Sequence, residues 1–173
     1  VARQVKGFNP DIQVIFGGQH PTMVMEEVLA QPYCDFLCMG EGEETFGHFL
    51  DVFSFGGDLT EVLGLAWKDE AGETRKNAPR PAIQDVDSIP FPAYHLLDLD
   101  RYVEAESARY TAKYDRSIQI FSSRGCPWHC TYCHDLFGKQ FRPRSPENVL
   151  AEIKMLYEDY NIQEFMVEDD IFN

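Results

Sequence analysis

The sequence predicts an α/β protein in two parts, on three observations. Two strand–glycine turn–helix units follow one another in its N-terminal part. A proline-rich stretch then interrupts regular structure, and beyond it a strand, a cysteine-bearing loop, a helix and another strand resume the alternation. Consecutive strand–loop–helix units call for a parallel sheet covered by helices, of the doubly wound type.

Residues 12–16 form an apolar run that ends in Gly17-Gly18, and residues 22–31 carry Met23, Val24, Val28 and Leu29 at helical spacing. The unit repeats with a strand at 35–39, a turn at 40–43, and a helix whose apolar face is Phe46, Phe49, Leu50 and Phe53. Ligands of such sheets bind beyond the carboxyl ends of the strands, where both glycine turns fall. Residues 65–68 and 74–76 flank a polar turn at 70–73 and read as a small hairpin. Pro79, Pro81, Pro90 and Pro92 mark an interdomain connector, because proline lacks the amide proton and restricts its predecessor. The second part has a strand at 117–122 and a helix opened by Ser145 as N-cap, with Pro146 in its first position and Glu147 in its first turn. That helix turns Val149, Ile153, Leu156 and Tyr160 to one face, and a strand at 164–168 follows.

The chain has 173 residues, 44% of them hydrophobic, which is enough to bury a real core. Its net charge of −14, with both signs interspersed, argues against a broad nucleic-acid-binding face. No apolar run approaches the roughly 18 residues of a membrane helix, so no membrane association is expected. Five cysteines, three of them within eight positions, suit metal chemistry better than a disulfide framework, and a reducing, cytoplasmic setting is expected. The chain begins at Val1 and stops just after a predicted strand, so it is expected to be an internal piece of a longer polypeptide.

The most specific signal is Cys126-Pro-Trp-His-Cys130-Thr-Tyr-Cys133. Three thiolates in one loop directly after a strand can bind a metal cluster but cannot fill it, since a four-iron cluster takes four cysteines. Zinc completed by His129 or His134 is the competing reading, although structural zinc sites are usually assembled from two separated ligand pairs. Cys34 and Cys38 lack a third partner and are expected to be core thiols.

The run from Gly125 to Cys133, with Tyr132 before the third cysteine, resembles the signature loop of the radical S-adenosylmethionine superfamily. The resemblance implies that Cys126, Cys130 and Cys133 bind three irons of a [4Fe-4S] cluster. It further implies that the open iron takes the amino and carboxylate groups of S-adenosylmethionine (SAM), which is cleaved reductively to methionine and a 5′-deoxyadenosyl radical. Tyr132 would lie near the adenine. Glu168 or Asp169, with Asp170 beside them at the end of the second barrel strand, would hold the amine. The family's glycines before a glutamate are not present there. Arg142 and Arg144 could contact carboxylate or phosphate, though surface solubility is the expectation for both.

Residues 17–22 and 40–45 resemble the late loops of the cobalamin-binding domain fused ahead of such barrels, and the connector at 86–94 resembles that of the same fused family. This resemblance implies a cobalamin site that includes Gly17, Gly18, Gly40 and Gly42, with His20 as loop structure or a tail contact. The earlier strands, which carry an aspartate-histidine cobalt-ligand motif in methionine-synthase-like relatives, are not matched. The implied organisation is the end of a Rossmann-like cobalamin-binding domain at 1–60, hairpin and connector at 61–110, and the start of a partial (β/α) TIM-type barrel at 111–173. The implied function is a radical SAM enzyme, cobalamin-dependent, with methyl transfer as first expectation. It would need an electron donor such as flavodoxin or ferredoxin and would act on a small molecule or peptide. The piece alone is expected to show no turnover. A zinc-binding module without chemistry, or a methylthiotransferase-like radical SAM enzyme, are the alternatives.

Overall fold

Strands β1 (Ile15–Phe16) and β2 (Phe36–Cys38) pair in parallel, Ile15 opposite Phe36 and Phe16 opposite Leu37. The alternation of a strand sends neighbouring side chains to opposite faces, and both faces are covered. Leu37 packs with Leu29, Cys34 and Ala66, while Phe36 packs with Phe49, Val62 and Leu65. The first set is backed by α3 (Met25–Leu29) and the second by α4 (Glu43–Phe55), where Phe36 and Phe49 lie 4.8 Å apart between ring centroids. These strands are nearly continuously apolar because they are buried on two sides.

The helix expected at 22–31 is two short helices, α2 (Gln19–Met23) and α3. The break falls at Val24, whose φ of −121° and ψ of 45° leave the helical region. A further helix, α1 (Ala2–Phe8), precedes the first strand; it buries no residue, and its sequence offers no long apolar stripe. The hairpin of β3 (Leu65–Lys68) and β4 (Thr74–Lys76), grouped with the connector on sequence grounds, is hydrogen-bonded into the main sheet. Here β3 runs antiparallel to β2, with Cys38 opposite Leu65 and Phe36 opposite Trp67. The physical reason is the burial of Leu65 and Ala66, which a free-standing hairpin could not provide. The parallel pair is thus one half of a mixed four-stranded sheet.

The computed structural model describes residues 1–109, 116–133 and 136–172, with the backbone alone at 106–109. The described chain divides into two units, one of Val1–Ile83 with Cys130–Phe137 and the other of Gln84–His129 with Gly138–Asn173. In the second unit β5 (Ser117–Ile120) and β8 (Glu164–Val167) pair in parallel on either side of α6 (Pro146–Tyr160) in the sequence, a β–α–β unit. The sequence signals for α6 hold: the Ser145 hydroxyl accepts the Asn148 amide at 3.1 Å, Pro146 opens the helix, and left-handed Asn161 (φ 55°) ends it. Leu156 is fully buried with Ile118, Ile120 and Ile162, and Val149, Ile153 and Tyr160 pack around them.

The connector contains an unanticipated helix, α5 (Leu99–Arg109), whose Leu99 and Val103 enter this core four residues apart. Its acidic surface residues masked a short apolar stripe. A minor ribbon, β6 (Ser123–Arg124) against β7 (Arg142–Pro143), closes the base of the cysteine loop.

The expectation of solvent-facing arginines is corrected here. Arg142 is 3% exposed on β7. Arg144 is half-buried against α6, where it forms a 2.5 Å ion pair with Glu152 and donates to Asn148 Oδ1 at 2.7 Å and to the Phe121 carbonyl at 2.6 Å. The other Glu152 oxygen accepts the Tyr94 hydroxyl at 2.8 Å. Burial, together with that carboxylate, raises the Tyr94 phenol well above its usual range, so it stays a neutral donor. Each charged group in this network has its partner in place, which is the condition for tolerating charge in a core.

Arg144→Leu is therefore expected to strand Glu152 and destabilise the second unit by about 3–5 kcal/mol. Tyr94→Phe removes one hydrogen bond and is expected to lower stability by about 1 kcal/mol. Denaturant unfolding midpoints check both, and equal losses from the two variants would contradict the pairing described.

Candidate cofactor-binding loops

The front unit presents two glycine turns at the carboxyl ends of its parallel strands. Gly17-Gly18 follows β1, and Gly40-Glu41-Gly42 follows β2 one residue later. Gly18 (φ 95°) and Gly40 (φ 70°) occupy conformations that favour glycine, and a Cβ at either would meet nothing within 4 Å. Thr22 joins the turns: its hydroxyl donates to the Gly18 carbonyl at 2.7 Å and accepts the Gly40 amide at 3.1 Å. Cys38 supports them from below, 3.8 Å from a Cβ built on Gly17 and, through Sγ, 3.5 Å from one built on Gly42. The structure thus brings Gly17, Gly18, Gly40 and Gly42 together. His20 is exposed on α2 and makes no side-chain contact that ties it to these turns.

Behind the second turn Glu41 accepts the Ile83 amide at 3.1 Å. Arg80 donates to Thr45 Oγ1 at 2.9 Å and also reaches Glu44 and His48. These contacts strap the chain leaving the hairpin across the start of α4, a function that nothing in the local sequence announces. The open backbone over Gly18 and Gly40 suits a ligand laid along the turns, as strand-end glycines in such sheets do.

Cys34 and Cys38 are core thiols, 8% and 5% exposed. Burial pushes the Cys34 thiol up to about 11, with Asp35 adding to the effect, and burial likewise raises Cys38. Neither is a thiolate at neutral pH, so neither is a ready metal ligand.

The cysteine loop is held at its base. Gly125 has φ of 81°, and a Cβ there would stand 2.2 Å from the Gln140 carbonyl oxygen, so only glycine lets the two ends of the loop approach this closely. The Cys126 amide donates to the Gly138 carbonyl at 3.2 Å, and Lys139 Nζ donates to the Trp128 carbonyl at 2.8 Å. Farther along, the Cys133 amide donates to the Cys130 carbonyl at 3.2 Å, and both side chains are exposed. Tyr132 is 91% exposed and His129 is exposed, whereas His134 lies outside the described residues.

Among the described residues no three His, Cys, Asp or Glu side chains are gathered closely enough to hold a metal ion. The donor set nonetheless fits an iron–sulfur cluster in its chemistry, three free thiols in one loop that has no fourth cysteine.

At the end of β8 the carboxylates have different surroundings. Glu168 is exposed and accepts from Gln119 Nε2 at 3.4 Å. Asp169 accepts four hydrogen bonds. The Ser122 and Ser123 amides donate to Oδ1 at 2.7 and 3.0 Å, and their hydroxyls donate to Oδ2 at 2.5 and 2.8 Å. Asp170 accepts the Gly125 amide at 3.2 Å.

Iodoacetamide at about pH 8 should alkylate Cys130 and Cys133 of metal-free protein well before Cys34 and Cys38, since only exposed, ionisable thiols react. Mass mapping checks this, and equal rates at Cys34 and Cys130 would contradict the burial of the former.

The B12 binding domain family matches residues 1–50. "Uncharacterized methyltransferase PH0819" of Pyrococcus horikoshii is 38% identical over 99% of this chain and 36% of its own length. "Cytidylyl-2-hydroxyethylphosphonate methyltransferase" of Streptomyces wedmorensis is 32% identical over 93% of the chain and 34% of its own length. "Anaerobic magnesium-protoporphyrin IX monomethyl ester cyclase" of a Synechocystis strain is 31% identical over 93% and 31% respectively. The chain therefore spans about a third of the length of these curated relatives.

In fold it is similar to the cobalamin-dependent SAM radical enzyme OxsB with aqua-cobalamin bound, at TM-score 0.74 and 23% identity over 98% of this chain and 23% of that one. It is also similar to the radical SAM methyltransferase TsrM from Kitasatospora setae with cobalamin and [4Fe-4S] cluster bound, at TM-score 0.72 and 16% identity over 99% and 33%. The chain is thus similar along nearly its whole length to proteins named as methyltransferases and a cyclase, its residues 1–50 match the B12 binding domain, and it shares the fold of the matching part of the two solved enzymes.

Proposed function

We propose that this chain supplies the cofactor-binding portion of a cobalamin-dependent radical SAM enzyme whose reaction is methyl transfer. The observation that carries the reading is the three-cysteine loop, based at Gly125 and Cys126, in a chain whose residues 1–50 match a B12-binding domain. Methyltransferases among the relatives favour methyl transfer over the cyclisation named for others.

In this reading Cys126, Cys130 and Cys133 hold three irons of a [4Fe-4S] cluster. When bound and reduced, the cluster supplies the electron that cleaves SAM, and bound cobalamin supplies a methyl carrier. The chain's own residues bind and orient. Gly125 lets the loop close at its base, and Tyr132, exposed beside the third cysteine, offers a ring to the adenine. Glu168, exposed at the strand end, would accept from the SAM ammonium. In the front unit the Gly17-Gly18 and Gly40–Gly42 turns, joined by Thr22, take the cobalamin, with His20 at the edge of the site. An electron donor of flavodoxin or ferredoxin type, a small-molecule or peptide substrate and a cytoplasmic setting belong to the same proposal.

Reconstitution of the full-length protein with iron and sulfide under anaerobic conditions tests it. Iron uptake with a visible chromophore is expected, and Cys130→Ala should abolish both and with them the formation of 5′-deoxyadenosine from SAM. Stoichiometric zinc without iron uptake would sink the enzyme reading in favour of a zinc-stabilised module.

A further inference from the structure

The carboxylates after β8 are placed by the β5–β8 pairing. Ile120 stands opposite Val167, and the Glu168 amide donates to the Ile120 carbonyl at 3.0 Å, so the residues that follow both strands emerge together. An ionised carboxylate offers about four lone-pair sites and no donor. Asp169 receives four donors, two amides and two hydroxyls of Ser122 and Ser123, with lengths of 2.5–3.0 Å. Its acceptor capacity is used within the protein, leaving none for the ammonium of SAM.

The four bonds act on one place in the chain. Ser122 and Ser123 lead through β6 and Arg124 to Gly125 and Cys126. The same entry is held from the other side, where the Arg144 amide donates to the Ser122 carbonyl at 2.8 Å and the Cys126 amide to the Gly138 carbonyl. Asp170 adds the Gly125 amide. Bonds to a charged acceptor are stronger than neutral ones, and a carboxylate engaged at both oxygens fixes orientation as well as position.

Cys126 thus sits on a fixed stem, in contrast to the exposed Cys130 and Cys133. The groups that orient a metal ligand from behind tune how well the metal is held.

We propose that Asp169 is a positioning residue of the cluster site, which through Ser122 and Ser123 sets the entry of the cysteine loop and so the place of Cys126. The role rests on the reading that the three cysteines bind a cluster, and it assigns Asp169 to the loop instead of to SAM.

The test compares wild type, Asp169→Ala and Asp169→Asn as full-length protein, each reconstituted anaerobically with iron and sulfide. The readouts are iron release to a chelator, the melting temperature of the metal-free form, and the change that SAM causes in the electron paramagnetic resonance of the reduced cluster. Asp169→Ala is expected to weaken iron retention about 10-fold, the scale of lost outer-shell support. Asn keeps an oxygen for the two amides and should restore most of the retention. Metal-free melting should fall modestly and to a similar degree in both variants, unlike iron retention, and the fraction of Asp169→Ala that holds a cluster should still respond to SAM. Full iron retention with loss of the SAM response would overturn the proposal and make Asp169 a SAM ligand. Iron loss that parallels a fall in melting temperature, with Asn no better than Ala, would also overturn it. A wild-type protein that takes up no iron overturns the reading of the cysteines themselves, and this role with it.

Discussion

Asp169 lies two residues beyond β8, yet its carboxylate is bonded to serines 46 and 47 positions earlier in the chain. That link exists because β5 and β8 run parallel and in one register, with α6 returning the chain between them. A slip of one residue would send Asp169 to the other face of the sheet and leave two hydroxyls and two amides without their acceptor. The hydrophobic core under α6 guards against the slip, since Ile118 and Ile120 must face Leu156 and Ile162. Burial of aliphatic side chains thereby sets where a charged group meets the cysteine loop.

The same unit shows how charge is accommodated away from the loop. Arg144, Glu152, Tyr94 and Asn148 complete one another inside the protein. Asp87 joins the connector to the start of α6 by accepting the Ser145 amide at 2.9 Å, and its bonds to Ser145 hold its carboxyl below the usual carboxylate range. In the front unit a neutral group does the comparable work, with Thr22 linking two glycine turns through a single hydroxyl. Both units hold their loops by hydrogen bonds at strand ends, where backbone groups leave the sheet ladder and need other partners.

Features set by local chemistry were legible in the sequence. The Ser145-Pro146 start of α6, its apolar face, the glycine turns and the spacing of the three cysteines depend on neighbours within a turn or two of chain. What could not be read depends on long-range contacts. The β3–β4 hairpin looks self-contained until Leu65 is seen against Cys38. Arg142 and Arg144 look like surface charges until β6 and Glu152 are placed. Asp169 in a run of three acidic residues has nothing local to separate it from its neighbours, and only the pairing of β5 with β8 does so. The break at Val24 and the short stripe of α5 are weak signals in short elements, for which propensity decides little.

In the proposed function, three thiolates leave one iron of a cluster open to SAM. Mössbauer spectroscopy of the full-length protein reconstituted with isotopically enriched iron tests it most directly. A single iron site whose signal changes on addition of SAM, with the other irons unaltered, is the expected result. A spectrum in which all irons are equivalent and indifferent to SAM would contradict it.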